Sequence, residues 1–431
     1  MVFAIIDFDW KSKLILFSAI QLLACCHVSE GASMISRDAY LQSLLQWRDK
    51  DVIKVISGVR RCGKSTLMEL LKRELRSQGI ADDHIVHINL ELLENEPLLE
   101  YHALHKAILD RCSDDDMHYV LLDEVQNVPE FQRAIDSLYA RPNIDVYITG
   151  SNAYLLSGTL ATLLSGRYVE IKMLPLSFSE YCGARSAEGT STRRMWSEYL
   201  HDGSFPAIMQ MAENDALVFD YLDGILNTIL VKDVSQRLKV DTAVLRGLVT
   251  FLYDNIGNLC SPASIAKAMS AAGQSVSAPT VARYLEALEA AFLVYPAARY
   301  DVRGKRILRQ EKKYYAVDMG LRRVLCSNSV RDTGRILENI VYLELLRREK
   351  NVYVGQGPAG EIDFVTNGVE GLKYWQVSES VARAETLDRE LSSFEAVKDN
   401  FPKTLLTLDD VREESYDGIR CVNALDWLRE G

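Results

Sequence analysis

The segment VISGVRRCGKST, residues 55–66, joins a β-branched run to a glycine-containing turn, and the helical pattern TLMELLKREL begins at its last residue. Gly58 and Gly63 let the backbone turn so that successive N–H groups face one anion. The free N–H groups and the positive dipole end of the helix add to that attraction. A strand that is followed by Gly-x-x-x-x-Gly-Lys-Ser and then by a helix predicts a phosphate-binding P-loop. The alternative is a chance match on an ordinary strand–turn–helix corner.

The same loop carries the side chains that a bound nucleoside triphosphate requires. Lys64 would reach the β- and γ-phosphates, and the Ser65 hydroxyl would hold Mg²⁺. Arg60 and Arg61 could also contact phosphate, although we expect one of them to pack against the domain surface. The predicted nucleotide-binding residues are Gly58, Val59, Arg60, Arg61, Cys62, Gly63, Lys64, Ser65 and Thr66.

A second motif, HYVLLDEVQ at residues 118–126, is an apolar strand that ends on two acids. Asp123 would lie at the carboxyl end of this strand, where open α/β sheets bind ligands, and could hold Mg²⁺ or its water shell. Glu124 would point away from the metal and could polarise the attacking water. The alternative is two surface acids that close a buried strand. The preceding P-loop favours the catalytic interpretation.

A third strand, DVYITGSN at residues 145–152, ends in the small polar residues Ser151 and Asn152. A side-chain amide at this place can orient the lytic water against the γ-phosphate. The alternative is an asparagine that only turns the chain after a strand. The sequence leaves both interpretations of Asn152 open.

Length and charge limit the classes of protein that this chain can belong to. A chain of 431 residues is too long for one core, so two or three domains are expected. The 60 acidic residues against 49 basic ones argue against a protein coated by nucleic acid, although a local basic patch is compatible with them. The eight cysteines lack Cys-x-x-Cys spacing, which indicates neither zinc nor disulfides and fits a reducing cytoplasm.

The N-terminal segment does not resemble the rest of the chain. The apolar stretch from Leu14 to Cys26 is short for a membrane span and about right for a signal-peptide core. Asp7 and Asp9 interrupt the positive leader that such a signal needs. We interpret residues 1–33 as a non-native or targeting-like extension before Met34, and we expect no membrane partner. A genuine anchor or export signal is the open alternative.

After Ala39, apolar runs alternate with helical periods, which predicts βαβ units and an α/β fold with a mostly parallel sheet. The P-loop strand and the Asp123 strand need not be neighbours, because another strand lies between them along the chain. The predicted strands are Val52–Ile56, Ile85–Leu90, Tyr119–Leu122, Asp145–Thr149 and Tyr168–Ile171.

After Pro175 the pattern becomes helical, with helices expected at Phe178–Cys182, Arg194–His201 and Asn214–Asp233. Residues 248–300 then indicate three helices, and residues 299–318 a two-stranded wing around Gly304. Ser277 and Pro279 are expected to begin the third helix. This order is typical of a winged helix-turn-helix. The apolar stripe of the third helix is Val281, Leu285, Leu288 and Phe292.

Basic residues are concentrated between residues 299 and 323, where nine of them stand against three acids. Such an excess is what contact with double-stranded DNA requires, so DNA is a candidate partner. The alternatives are a packing module, a protein partner and self-association. The basic residues are Arg299, Arg303, Lys305, Arg306, Arg309, Lys312, Lys313, Arg322 and Arg323.

These landmarks, in this order, resemble a prokaryotic family of AAA-type ATPases with a C-terminal domain of unknown function. The resemblance implies an AAA-type fold, ATP binding with Mg²⁺ and expected hydrolysis, a winged helix, and a C-terminal domain related to PD-(D/E)xK nucleases. It implies no general biological role. The matching stretches are IKVISGVRRCGKSTL, YVLLDEVQ, YITGSNAYLLS, LSGRYVEIKMLPLSFSEY, YLHDGSFPAI, KDVSQR, YYAVDMGLRR, LENIVYLEL, EIDFV and YWQVS.

The resemblance also assigns an arginine. Arg167, in LSGRYVEI, matches the Gly-Arg pair of the family after the third motif. An arginine near the γ-phosphate stabilises transition-state charge, within one chain or from a neighbouring subunit. The alternative is a guanidinium paired with a surface acid such as Glu170.

The C-terminal region is expected to carry a degenerate nuclease-like site. Glu338 and Asp363 match the two metal-binding positions of the PD-(D/E)xK pattern. The strand that should carry Glu-x-Lys instead reads Gln376-Val377-Ser378, and a serine cannot replace the charge of the lysine in activating water. We therefore expect no nuclease activity. The expected strands are Val352–Val354, Glu361–Val365, Tyr374–Val377 and Lys403–Leu408.

The expected organisation is an AAA-type P-loop domain, a helical and winged-helix region, and a PD-(D/E)xK-like α/β domain. The function it implies is a cytoplasmic ATPase that couples nucleotide state to the winged helix. The alternatives are a nucleotide-dependent switch for a protein partner and an ATP-gated nuclease. The expected boundaries are 1–33 for the extension, 34–175, 176–240 for a helical linker, 241–325, and 326–431.

Overall fold

The structure is a computed structural model of the chain. It divides into a short N-terminal unit, Met1–Ser36, and a main unit, Arg37–Gly431. The interpretation of residues 1–33 lies outside the described residues, and the fold below is that of the main unit. The described residues are 34–153, 166–185, 190–235, 238–326, 332–349, 351–357, 360–411 and 414–430.

A five-stranded parallel sheet forms the first layer, in the order β2-β3-β4-β1-β5. All five predicted strands are confirmed, with ends that differ by one or two residues. The P-loop strand β1 and the Asp123 strand β3 are separated by β4, so they are not neighbours. The strands are β1 Ile53–Gly58, β2 Ile85–Asn89, β3 His118–Asp123, β4 Ile144–Gly150 and β5 Tyr168–Met173.

Helices cover both faces of this sheet because side chains alternate along each strand. On one face, Val55 and Val120 belong to a core with Leu104 and Ile135. On the other face, strand residues pack with the helix that follows the P-loop. The helices of this layer are α1 Asp38–Gln46, α2 Lys64–Ser77, α3 Tyr101–Leu109 and α4 Phe131–Tyr139.

A run of helices follows the sheet; those expected at Phe178–Cys182, Arg194–His201 and Asn214–Asp233 are present, whereas the helix Met319–Leu325 is not predicted from the sequence. The third of them continues into a turn of π-helix, Ile229–Ser235. The α10 helix begins as expected, because the Ser277 side chain accepts a hydrogen bond from Thr280 N and Pro279 lies in its first turn. The helices are α5 Phe178–Arg185, α6 Thr192–Asp202, α7 Asp215–Thr228, α8 Thr242–Asp254, α9 Pro262–Ala271, α10 Ala278–Ala290, α11 Met319–Leu325 and α12 Thr333–Arg348.

A second sheet has nine strands in the order β13-β14-β12-β11-β10-β9-β7-β8-β6. Its β7–β8 hairpin lies where the sequence predicts a two-stranded wing, and the four expected C-terminal strands are also present. The remaining helices are α13 Ala384–Ser392 and α14 Ala424–Arg429. The strands are β6 Leu259–Cys260, β7 Val294–Asp301, β8 Arg306–Ala316, β9 Val352–Gly357, β10 Gly360–Gly368, β11 Gly371–Ser378, β12 Lys403–Thr407, β13 Glu414–Tyr416 and β14 Ile419–Asn423.

The hairpin and the C-terminal region share this sheet because β7 pairs in parallel with β9, with Tyr300 opposite Gly355. The sheet therefore crosses the boundary expected between residues 325 and 326. One buried apolar cluster also runs from Leu67 on α2 through Leu288 on α10 to Phe364 on β10. Within the described ranges, no helix has the length and apolar character needed to span a bilayer.

Candidate nucleotide site

The P-loop begins where β1 ends, and its glycines meet strict steric limits. A Cβ on Gly58 would lie 2.2 Å from the carbonyl oxygen of Met173 on the neighbouring β5, so no side chain fits there. Gly63 has φ +104° and directly precedes α2, which begins at Lys64. This left-handed conformation favours glycine. The loop and the helix N-terminus therefore have the local geometry that the sequence predicts.

Arg37 holds the P-loop in place through hydrogen bonds from its side chain, a role that the sequence does not predict. Its Nη1 donates to the Cys62 carbonyl at 3.0 Å, and its Nη2 donates to the Leu174 carbonyl at 2.7 Å. Its Nε pairs with Glu180 Oε1 at 2.8 Å, and the side chain is 2% exposed. Nothing near Arg37 in the sequence marks it, because its partners lie 25 to 143 residues away.

The Lys64 side chain is buried in the P-loop and is only 3% exposed. Its Nζ donates to the carbonyl oxygens of Gly58 (3.1 Å) and Val59 (3.3 Å) and lies 3.4 Å from Glu124 Oε1. Burial lowers the pKa of Lys64, but the charge of Glu124 and its neighbours raises it, and the net shift is upward. The lysine is therefore a stable ammonium ion that faces a carboxylate.

Glu124 directly follows β3 in the left-handed conformation, with φ +53°. Its backbone N–H donates to Thr149 Oγ1 at 2.9 Å, and its carboxylate accepts a hydrogen bond from Gln126 Nε2. Burial raises the pKa of Glu124, but Lys64 and then Gln126 lower it, and the net shift is downward. Glu124 is therefore an ionised group that could accept a proton.

Asp123 is fully buried and has one oxygen without a partner. Its Oδ1 accepts a hydrogen bond from the Thr149 hydroxyl, whereas Oδ2 has no hydrogen-bond partner among the described residues. Burial raises the pKa of Asp123, against the opposing influence of the Ser65 and Thr149 hydroxyls. A Mg²⁺ ion would satisfy this oxygen and favour the ionised form. The side chains of Asp123 and Ser65 thus fit such an ion.

Ser151 and Asn152 follow β4 directly, and both are buried. Gln126 Nε2 lies 3.4 Å from Ser151 Oγ, so this turn adjoins the Glu124 carboxylate. The structure brings Asn152 to the edge of the sheet that also carries the P-loop and Asp123. Its predicted role in orienting water stays a prediction.

Arg167 lies at the amino ends of the strands, opposite the carboxyl ends that carry the P-loop. Its carbonyl accepts a hydrogen bond from Ile53 N, at the start of β1, whereas the P-loop follows the end of that strand. Five strand residues of about 3.3 Å each put Arg167 roughly 17 Å from the loop. Its guanidinium pairs with Asp136 Oδ1 at 2.9 Å. The structure therefore places Arg167 away from the loop, in an ion pair with Asp136 instead of Glu170, and its role near the γ-phosphate stays a prediction.

The two arginines of the loop have different surroundings. Arg60 donates from Nε and Nη2 to the carboxylate of Asp233 at 3.2 and 3.1 Å, and from Nη1 to Glu91 at 3.2 Å. Asp233 lies in the π-helical turn and is buried. Arg61 is exposed and has φ +69°. The expectation that one arginine packs against the domain is fulfilled by Arg60, although Asp233 was not predicted.

The nuclease-like residues come together around an unpredicted lysine. Lys313 Nζ on β8 lies 3.0 Å from Glu338 Oε1 and 2.6 Å from Glu361 Oε1. Burial raises the pKa of Asp363, and the charge of Glu338 raises it further. Glu361 and Asp363 line a cleft of about 270 Å³.

Strand β11, whose Gln376 also lines this cleft, is held by hydrogen bonds. The Gln376 side chain accepts from Asp363 N at 3.2 Å and donates to Glu390 Oε2 at 2.7 Å. The Ser378 hydroxyl donates to the Ser380 carbonyl at 3.2 Å. Gln376 therefore joins the carboxylates, whereas the Ser378 hydroxyl bonds within its own turn.

Most basic residues of the 299–323 segment already have partners. Arg303 and Lys305, at the hairpin turn, carry no ion pair within the described part of the chain, and the side chain of Arg309 lies outside it. The charge excess is therefore not a continuous exposed strip. The partnered residues are Arg299, Arg306, Lys312, Lys313, Arg322 and Arg323.

An uncharacterized protein of Haemophilus influenzae is 40% identical to this chain over 400 residues, which are 92% of this chain and 99% of that protein. The chain belongs to the same family. A second relative, an uncharacterized protein of Methanocaldococcus jannaschii, is 28% identical over 419 residues, which cover 93% of this chain and 88% of the relative. Among solved structures, a Walker-type ATPase of Pyrococcus abyssi is similar, with a TM-score of 0.47 and 15% identity over 68% of this chain and 95% of that one.

Two known domain families match parts of this chain. Residues 50–182 match an AAA domain, which confirms the AAA-type P-loop domain. Residues 193–332 match a domain of unknown function. That domain covers the helices and the hairpin, whereas we expected the domain of unknown function at residues 326–431. The relation of the C-terminal region to nucleases stays a prediction.

Proposed function

We propose that this protein binds ATP with Mg²⁺ and hydrolyses it at the P-loop. The observation that carries the proposal is the unpartnered buried Oδ2 of Asp123, beside the Ser65 hydroxyl and one residue before an ionised Glu124. Buried carboxylate oxygens in proteins are nearly always hydrogen-bonded, so a pair of acids that only closes a strand would not leave one of them without a partner. A metal-bound triphosphate supplies the missing partner.

Each side chain has a separate role in this reaction. The N–H groups of the P-loop and the start of α2 bind the β- and γ-phosphates, and Lys64 neutralises their charge. Asp123 and Ser65 would hold Mg²⁺, which neutralises phosphate charge when bound. Glu124 accepts the proton of the attacking water, and Asn152 orients that water. Because Lys64 now faces Glu124, the phosphates and Glu124 compete for the same ammonium ion.

ATP turnover by Lys64→Ala and Glu124→Gln proteins tests this assignment. Lys64→Ala removes the charge that neutralises phosphate, so we expect nucleotide binding to be lost. Glu124→Gln keeps the shape of the side chain but removes the proton acceptor, so we expect binding without turnover. Unchanged hydrolysis in the Glu124→Gln protein would refute the role of Glu124.

We further propose that α8, α9, α10 and the β7–β8 hairpin form a winged helix that responds to nucleotide state. Its basic residues are mostly paired inside the protein, which favours a protein partner or self-association over broad contact with DNA. Among the described side chains of this segment, Arg303 and Lys305 at the turn carry no ion pair and are therefore the candidates for DNA contact. ATP turnover with and without double-stranded DNA distinguishes these partners. A cytoplasmic location fits the need for ATP.

The C-terminal cleft is proposed to be catalytically inactive toward nucleic acid. Two carboxylates, Glu338 and Glu361, already pair with the Lys313 ammonium ion. That ammonium is not free to activate a water molecule, and Gln376 is a weak ligand for Mg²⁺. A nuclease-like scaffold that holds the hairpin in place is the better interpretation.

A further inference from the structure

Arg60 lies inside the P-loop, two residues after Gly58, and two acids hold its guanidinium. Lys64 Nζ donates to the carbonyl oxygen of Val59, the residue directly before Arg60, at 3.3 Å, and lies 3.4 Å from Glu124 Oε1. The backbone that carries Arg60 is therefore linked through Lys64 to the carboxylate that is proposed to activate water.

Two other arginines near the loop cannot easily serve the same purpose. Arg37 uses Nε, Nη1 and Nη2 for protein partners on the outer side of the loop. Arg167 lies at the amino ends of the strands, away from the loop. A triphosphate in the loop gains negative charge on its bridging and γ-oxygens as the bond to phosphorus breaks, and an arginine stabilises that charge strongly.

We propose that Arg60 is a catalytic residue that stabilises the γ-phosphate in the transition state, and that Asp233 is the residue that positions it. This inference rests on the proposed ATPase function. In the reaction, a water oxygen bonds to the γ-phosphorus and its proton passes to Glu124. The bond between that phosphorus and the β,γ-bridging oxygen breaks, and its electron pair leaves with ADP.

The two acids that hold Arg60 differ in a way that supports separate roles. Asp233 is 5% exposed and takes two donors of the guanidinium, Nε and Nη2, in a geometry that fixes its plane. Glu91 is 49% exposed and takes Nη1 alone. An exposed single contact is worth little, so phosphate can displace Glu91 while Asp233 keeps the guanidinium aligned.

The test compares Arg60→Ala with Arg73→Ala, an arginine on α2 whose side chain is 56% exposed, in the full chain. We expect Arg60→Ala to lower kcat by about 10²- to 10³-fold while the affinity for ATP changes by less than about tenfold. Arg73→Ala should change kcat by less than about threefold. Arg60→Lys should remain slow, because an ammonium ion cannot make the same planar contacts with Asp233 and phosphate.

Asp233 is tested by Asp233→Asn, with Glu91→Gln as its matched control. Loss of alignment should lower kcat by about tenfold or more with KM nearly unchanged, whereas Glu91→Gln should keep wild-type kcat. A merely structural role for Asp233 would lower the melting temperature and leave kcat of the folded protein unchanged. That result would overturn the positioning role.

The outcomes also separate this inference from the proposed function. If the wild-type protein hydrolyses ATP, Glu124→Gln does not, and Arg60→Ala does so at the wild-type rate, then only the inference is wrong. If Arg60→Ala loses ATP binding as completely as Lys64→Ala, then Arg60 binds the ground state and the catalytic assignment is overturned. Absence of ATP hydrolysis by the wild-type protein refutes both.

Discussion

The ion pair between Lys64 and Glu124 makes the Glu124→Gln substitution more informative than a loss of turnover alone. Without nucleotide, the substitution removes the counter-ion of a buried ammonium ion, at a separation of 3.4 Å. With nucleotide, the phosphates replace Glu124 as that counter-ion. The variant should therefore be less stable than the wild-type protein without ATP and should bind ATP more tightly.

The size of both effects follows from the contacts of Lys64. Two unit charges 3.4 Å apart interact by about 5 kcal/mol at an effective dielectric constant of 20, which is an upper limit here. Lys64 keeps its hydrogen bonds to the carbonyls of Gly58 and Val59, and glutamine keeps a polar oxygen. We expect a net loss of about 2 kcal/mol without nucleotide, and a melting temperature lower by about 2 °C.

The same loss appears as a gain in affinity, because the wild-type protein must break the ion pair to bind phosphate and the variant need not. Since about 1.4 kcal/mol corresponds to tenfold, a loss of about 2 kcal/mol predicts that the Glu124→Gln protein binds ATP about 30-fold more tightly. Isothermal titration and thermal melting with and without MgATP measure both effects. Glu91→Gln, at an exposed acid, is the control and should shift neither.

A Glu124→Gln protein with unchanged melting temperature and weaker ATP binding would refute this reasoning. That pair of results would mean that Lys64 does not depend on Glu124 for its charge balance. It would also mean that Glu124 helps to bind the nucleotide rather than competing with it.

Three further predictions follow from the placement of the other charged residues. Arg167→Ala should leave ATP turnover of a single chain unchanged; a drop that appears only at high protein concentration would place this arginine in the site of a neighbouring copy. Reversing Arg303, Lys305 and Arg306 to glutamate should leave ATP turnover unchanged, and should abolish any DNA binding seen in filter assays at low salt. The protein should not cleave plasmid DNA with Mg²⁺ or Mn²⁺, and cleavage that Asp363→Ala removes would prove this wrong.

The elements around the P-loop could be predicted because their signals are local. A β-branched run, two glycines and an amphipathic helix act within 25 residues, and the Ser277 cap acts within three. The parallel sheet follows from the same periodicity. Local sequence signals were therefore enough to predict the fold of the AAA domain and the end of the sheet that carries its site.

The missed residues act over long distances in the chain. Asp233 meets Arg60 across 173 residues, and Lys313 meets Glu338 across 25 residues and two different elements. The position of Arg167 relative to the P-loop was not predicted, because a short motif before a strand does not by itself tell at which end of the sheet it will lie. The count of basic residues at 299–323 overstated the unpaired positive charge for a related reason, because a count of charges does not include their partners.

The pairing of β7 with β9 determines how this protein can be divided into fragments. A chain that stops at residue 325 would lose β9 and expose the backbone N–H and C=O groups of β7 that β9 covers. A chain that starts at residue 326 would expose the matching edge of β9. Uncovered strand edges recruit other strands, so both fragments should aggregate. Attempts to produce the C-terminal region alone should therefore begin before Val294, so that the hairpin is included.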